Sequence, residues 1–275
     1  MAYGRQGRIG LKPTSHAGCE EITRIIVVRA CAIGDFVFNL PALNAVQKLL
    51  PNARFTLVGN ASTLELATAF VAVDGVHSID LQPWSRLFYE AIQGLEFDMA
   101  IVWMKDPVVA DNLRNSGIPE VIVADPFPVS GHAADHLLRT LRLPRPQLPD
   151  LWNPDSRKIL LHSGSGSPTK NWPHFSGLQA RLANSLPMPQ NLPLLELMQE
   201  ISHCRLFIGN DSGITHLAAY IGCPTVALFG RTNPRTWGPV GRRARVIWKS
   251  NLDDISIDEV LLSVHGTHTR TRIDG

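Results

Sequence analysis

Short runs of β-branched and other apolar residues alternate along the chain with stretches whose apolar positions recur every three or four residues. That alternation predicts βαβ units and parallel sheets. Strands are expected at 25–28, 55–58, 76–79, 99–102 and 121–123. Between the first two, Leu40, Leu43, Val46 and Leu50 lie at helical spacing, and Pro51-Asn52 stops that helix. Further helices are expected at 63–70, 84–92 and 136–143. The next segment, LPRPQLPDLWNPD, has prolines at 144, 146, 149 and 154. Proline stiffens a chain and blocks both helix and central strand, so this segment reads as a linker between two domains, 24–150 and 151–275. Beyond it, strands are expected at 158–162, 206–208, 225–229 and 245–248. Helices are expected at 174–183, 194–203, 215–221 and 257–264, the third capped by Gly222 with Pro224 just beyond. One irregularity stands out. NSLPMPQNLP, at 184–193, shows no strand pattern, although a parallel sheet needs a strand between the helices on either side.

Composition narrows the class. Of 275 residues, 44% are hydrophobic and 18% charged, with Lys+Arg 26 against Asp+Glu 24 for a net charge of +2. Disorder of the bulk is excluded, because it needs low hydrophobicity and high charge. No run of about 18 apolar residues occurs, which excludes a spanning helix. The near-balanced charge argues against a nucleic-acid binder, which would carry a basic stripe. The opening MAYGRQGRIGLKPTSHAGCEEITR is polar and lacks the apolar core of a secretory signal, so a disordered lead-in over 1–23 of a non-exported protein is expected. The tail HGTHTRTRIDG has the same character. Cys19, Cys31, Cys204 and Cys223 form neither a C-x-x-C pair nor a zinc spacing, and are expected to be reduced thiols.

Three turns have residue types suited to chemistry. The first, Arg29-Ala30-Cys31-Ala32-Ile33-Gly34-Asp35, follows the first strand, where ligands bind in open α/β sheets. Taken locally, Asp35 reads most simply as a helix cap. A single glycine here falls short of the G-x-G-x-x-G dinucleotide fingerprint, which disfavours an NAD-dependent oxidoreductase. The second turn, Ser163 to Lys170, has small residues that let backbone N–H groups approach an anion, and Lys170 adds positive charge. An ordinary flexible loop and an anion-binding loop that includes Ser165 and Gly166 are equally good readings of it. It is not a P-loop, since Thr169 stands where the second Gly belongs and Asn171 follows the Lys. The third turn, Gly209-Asn210-Asp211-Ser212-Gly213-Ile214-Thr215-His216, runs from a strand into a helix start. Free N–H groups and the positive dipole end suit a diphosphate there, with Thr215 and His216 as added donors. Capping alone would need only one of these polar residues.

Other features carry less. His132 and His136 lack the Glu of a zincin motif, and a surface or interdomain role is expected for both. No Asp-x-Asp occurs, so no carboxylate-held metal and no cofactor are expected. Arg114, Arg139 and Arg142 read as a solvated basic face.

The stretches RIIVVRACAIGDFVFNLPALNAVQKLLPNARFTLVG, ILLHSGSGSPTKNWPHFSGL and LFIGNDSGITHLAAYIGCPTVALFGRTNPRTWGPVG together resemble glycosyltransferase family nine, the bacterial lipopolysaccharide heptosyltransferases. They cover about a third of the chain, and the third stretch is the most specific. The resemblance implies a GT-B fold, an α/β architecture of two Rossmann-like domains with parallel sheets facing across a cleft. The N-terminal domain would hold the acceptor and the C-terminal domain the nucleotide-sugar. It implies an inverting, metal-independent transfer of heptose from ADP-heptose to a lipid-linked lipopolysaccharide inner-core acceptor. The site would lie in the cytoplasm, at the cytoplasmic face of the inner membrane, with peripheral membrane contact. By resemblance, Asp35 matches the catalytic base and Lys170 a lysine at the donor diphosphate. Asp211, Ser212, Gly213 and His216 match the loop and helix start that hold ADP.

The sequence departs from the family pattern in places. Cys31 stands where Gly is common, and Ser163 and Ile214 stand where Pro is frequent. At 184–193 the family has a strand and helix with an acidic residue that reaches the nucleoside. Here that unit is missing and only a remnant of the next strand is left. In the usual 3-2-1-4-5-6 order, strands 2 and 3 share one edge, so a coherent 1-4-5-6 sheet with a new edge is expected. A degenerate, non-catalytic nucleotide-sugar-binding homologue is the alternative reading of that loss.

Overall fold

Two five-stranded parallel sheets organise the protein, as seen in a computed structural model that describes residues 22–265. The expected lead-in up to residue 21, Cys19 and the residues from 266 onward lie outside the described residues. The first half runs β1 (Arg24–Arg29), α1 (Ile33–Leu49), β2 (Arg54–Gly59), α2 (Ala61–Leu64), β3 (Val73–Ser78), β4 (Met99–Trp103), α3 (Val108–Asn115), β5 (Glu120–Ala124) and α4 (Ala133–Thr140). The second runs β6 (Ile159–His162), α5 (Phe175–Arg181), β7 (Ser185–Pro187), α6 (Leu194–His203), β8 (Leu206–Asn210), α7 (Gly213–Tyr220), β9 (Thr225–Phe229), α8 (Pro234–Trp237), β10 (Ala244–Trp248) and α9 (Ile257–His265). The sheet orders are β3-β2-β1-β4-β5 and β10-β9-β8-β6-β7. Residues 144–158 carry neither helix nor strand. They are pinned to the second half where the Leu151 N–H donates to the Ile221 carbonyl at 2.8 Å and Trp152 Nε1 to the Cys204 carbonyl at 2.8 Å.

β1 and β8 are central and buried throughout their apolar runs, as expected for parallel strands covered on both faces. Helices α1 and α7 are unusual in being buried nearly all round, which marks helices with neighbours on every side. They pack against each other between the sheets. One hydrophobic core therefore runs through both halves, from Val27 and Leu40 to Phe207, Leu217 and Tyr220. Asn44 Nδ2 donates to the Tyr220 hydroxyl at 2.7 Å across the same seam.

Several expectations are corrected. Residues 184–193 do contain a strand, because β7 pairs in parallel with β6 through Ile159–Ser185 and Leu161–Pro187. Three residues ending in proline are too few to show alternation. The second sheet is therefore not the expected 1-4-5-6 arrangement: β7 occupies the place that β2 has in the first sheet. Missing is the counterpart of β3, since the chain passes from β7 straight to α6. Helix α3 escaped the periodicity reading because it spans two turns between Pro107 and Gly117, although Val109, Ala110 and Leu113 form its buried face. The expected helix at 84–92 is a 3-10 turn, Trp84–Phe88, and that at 136–143 begins earlier, at Ala133.

Candidate active site

The β1–α1, β6–α5 and β8–α7 connections leave the carboxyl ends of their strands and meet around one cavity of about 420 Å³. Ala32, Gly34, Asp35 and Phe38 line it from the first half. Gly166, Ser167, Lys170, Asp211, Ser212, Gly213 and His216 line it from the second. Two glycines make that meeting possible. A Cβ on Gly213 would sit 2.7 Å from the Gly34 nitrogen and 2.8 Å from Ile33 Cβ, so α7 starts directly against the start of α1. The opening N–H groups of a helix have no intrahelical acceptor, so two positive helix ends converge on the cavity.

Asp35 lies in the first turn of α1, whose N-cap is Ala32 with no side-chain cap. Its carboxylate makes no hydrogen bond or ion pair among the described residues, and it faces the cavity. The capping role expected from local sequence is therefore corrected: the helix is uncapped by Asp35, and the carboxylate is left available. Beside it, burial pushes the Cys31 thiol up to about 12, so that thiol stays protonated.

The three polar residues of the β8–α7 turn have separate tasks. Asn210 accepts from the Trp172 N–H at 3.0 Å and donates to the Ser163 carbonyl at 2.7 Å, fixing the β6–α5 loop in place. Ser212 is the N-cap of α7 and accepts from the Thr215 N–H at 3.3 Å. Asp211 accepts from Lys170 Nζ at 2.6 Å and lies 3.4 Å from His216 Nε2. Burial would raise its pKa, but hydrogen bonds from His216, Lys170 and Thr232 outweigh burial and bring it down to about 2. Asp211 is thus an anion that orients two donors. One of the three Lys170 N–H bonds is spent on it, and Lys170 remains 41% exposed toward the cavity.

Two of the expected ligand-facing residues do not line the cavity. Ser165 Oγ turns into its own loop, 2.6 Å from the Ser167 carbonyl and 2.7 Å from Asn171 Oδ1, and its one proton serves these two acceptors. Thr215 is fully buried and donates to the Asn210 carbonyl at 2.6 Å. Both shape the loops. Arg114 pairs with Asp111 at 2.6 Å and Arg139 bonds the Ser130 carbonyl at 3.2 Å; neither they nor Arg142 lines the cavity.

Sequence reasoning missed the aromatic wall. Phe38 of α1, Phe127 of the β5–α4 connection and Trp237 at the end of α8 form it, with Phe38–Trp237 centroids 6.0 Å apart and Phe127–Trp237 6.2 Å. Thr232 joins them. No local pattern marks such residues. His132, expected in a surface or interdomain role, lies beside this wall: its ring is edge-on to Phe38 with centroids 5.6 Å apart. Arg29 is missed too; only 5% exposed, it bonds Asn39 Oδ1 and the Trp103 carbonyl, each at 3.4 Å, and among the described residues it has no carboxylate partner.

A second cavity of about 410 Å³ opens beside the first, between residues 161–164 and 187–192, with Ile214 of α7 on its wall. The loop from Ser163 to Ser167 runs between the two cavities. His162 lines the second cavity, and burial lowers its imidazole to about 4, leaving it neutral near pH 7. Among the described residues, no three His, Cys, Asp or Glu side chains are grouped to hold a metal ion.

Comparison with known proteins gives consistent results. Residues 188–260 match the family model described as glycosyltransferase family 9 (heptosyltransferase). Lipopolysaccharide heptosyltransferase 1 of Pseudomonas aeruginosa is 22% identical over 293 residues, covering 80% of this chain and 82% of that relative. E. coli ADP-heptose lipopolysaccharide heptosyltransferase II superposes with a TM-score of 0.71 at 19% identity, over 89% of this chain and 98% of that one. E. coli heptosyltransferase WaaC with ADP gives 0.70 at 17% identity, over 89% of this chain and 100% of that one. The structural matches establish the shared fold: two Rossmann-like halves in a GT-B arrangement.

Proposed function

We propose that this chain, a member of glycosyltransferase family 9, transfers heptose from ADP-heptose to a lipopolysaccharide inner-core saccharide, with inversion and without a metal. The observation that carries the reading is the single cavity at which Asp35, Lys170, the Asp211–His216 pair and the starts of α1 and α7 converge.

The chemistry follows from the charges. As the acceptor hydroxyl oxygen bonds the anomeric carbon, the bond from that carbon to the diphosphate breaks. The hydroxyl proton passes to the uncommitted carboxylate of Asp35. One carboxylate on the face opposite the leaving group gives inversion. The leaving diphosphate gains negative charge, which is met by Lys170 and by the N–H groups opening α7. These donors are held before the reaction, Lys170 by Asp211 and the helix start by its contact with α1, so little reorganisation is needed. Gly166 and Ser167 bring backbone to the same diphosphate. Ser165 and Thr215 act by shaping the loops that carry those donors. The nucleoside extends into the second cavity, along the loop that joins the two. In this reading residues 24–150 form the acceptor-side domain and residues 151–275 the donor-side domain.

No described helix is long and apolar enough to cross a membrane. We place the reaction in the cytoplasm, with the protein meeting its lipid-linked acceptor peripherally at the inner membrane.

The test is direct. Calorimetry should show micromolar binding of ADP, and incubation with ADP-heptose and inner-core acceptor should release ADP. Absence of both would overturn the proposal.

A further inference from the structure

His132 uses both ring nitrogens, one within the first half and one across the seam between the halves. Its Nδ1 accepts the Ala134 N–H at 3.2 Å, capping α4. The proton must then be on Nε2, which donates to the Gly238 carbonyl at 2.9 Å. Only this neutral tautomer can make both bonds, because an added proton would turn Nδ1 toward another N–H donor. Gly238 follows directly on Trp237 of the aromatic wall, and Phe38 touches both His132 and Trp237.

We infer that His132 is a positioning residue: as the neutral ring it ties α4 of the first half to the backbone after α8 in the second, and so holds Trp237 over the cavity. The charged and titratable groups around the ring are Asp135 on its own helix, Arg145 of the segment joining the halves, and His216 of α7. Asp135 is already paired with Arg145, so it offers little to a protonated ring. From α1 the ring meets Phe38, and from the turn after α8 it meets the Gly238 carbonyl. Burial, ahead of these charges, holds the imidazole below its ordinary 6.5, so the ring is neutral and makes both bonds near neutral pH. The consequence for substrate binding rests on the transfer reaction proposed above; the tie itself does not.

The experiment reads Trp237 directly, as the difference in acrylamide quenching between the wild-type protein and Trp237→Phe. In the wild type that difference should be small at pH 8 and stay small as pH falls through the histidine range, because protonated Nε2 still donates to Gly238. His132→Asn keeps a good helix cap but cannot reach Gly238 or titrate. Trp237 quenching in that variant should be high at pH 8. Loss of one hydrogen bond corresponds to a change of about fivefold in the closed population, and in the donor KM, with kcat changed much less. If His132→Asn quenches like the wild type at pH 8, the inference is overturned. A wild type that binds and turns over no ADP-heptose would refute the transfer reaction while the quenching result still decides the tie.

Discussion

Replacing Gly213 with alanine tests whether the contact between two helix starts builds the site. The new methyl would lie 2.7 Å from the Gly34 nitrogen, 2.8 Å from Ile33 Cβ and 2.9 Å from Ile33 Cγ2. Comfortable carbon contacts lie at about 3.5–4.0 Å, so α1 and α7 must part by about 1 Å. The nearest obstacles are backbone and a β-carbon, which cannot swing aside. Overpacking of this kind costs about 1–3 kcal/mol, and alanine's helix preference over glycine returns up to about 1 kcal/mol of that. A net loss of about 1–2 kcal/mol should appear in urea unfolding. The larger effect falls on chemistry, because a 1 Å misplacement of reacting groups can cost about 100-fold in rate. Asp35 moves with α1 and the proposed diphosphate donors with α7, so turnover should fall much further than ADP affinity measured by calorimetry. Gly34→Ala is the control. Its methyl would meet Gly213 Cα at 3.3 Å and His216 Cδ2 at 3.5 Å, which a shift of a few tenths relieves, so its losses should be clearly smaller. Wild-type stability and turnover in Gly213→Ala, or equal damage at both glycines, would refute the reasoning.

Three further outcomes are expected. Asp35→Asn should lower kcat by about 10²–10⁴-fold with an unchanged urea midpoint, since its carboxylate bonds nothing among the described residues; retention of most activity would remove it as the base. Lys170→Met should weaken ADP binding more than tenfold by calorimetry, because a charge-assisted hydrogen bond is worth about 1.5–3 kcal/mol, and an unchanged affinity would count against its diphosphate role. Asp211→Asn should destabilise the fold at neutral pH by about 2 kcal/mol, the equivalent of a carboxyl brought down from 3.8 to about 2. A depressed folded-state pKa stabilises above the unfolded value and stops doing so as pH falls through the folded one. The gap between wild type and Asp211→Asn should therefore close between about pH 4 and pH 2 in denaturation series.

Much of the fold was legible because strand and helix periodicity are local properties. The helix at 194–203 and the strand at 225–229 were bounded to the residue. The failures were short elements. β7 is three residues long and ends in proline, and α3 makes two turns between Pro107 and Gly117, so neither repeats long enough to be seen. The site was legible in the same degree. Lys170, Asp211, Ser212, Gly213 and His216 line the cavity, while Ser165 and Thr215 turn inward because hydroxyls beside a free carbonyl bond it first.

By itself, the sequence determined where strands end and which turns expose backbone N–H groups, since small residues, caps and hydrophobic period act within a few positions. It also marked Asp35, but favoured a cap for it. Only the tertiary structure decided that Asp35 is uncommitted, because α1 must first dock on α7 through two facing glycines. The same docking gathers Phe38, Phe127, Trp237 and His132 from positions up to 199 residues apart (38 to 237). Their convergence is set by the burial of α1 between two sheets, a long-range term that no local window of sequence contains.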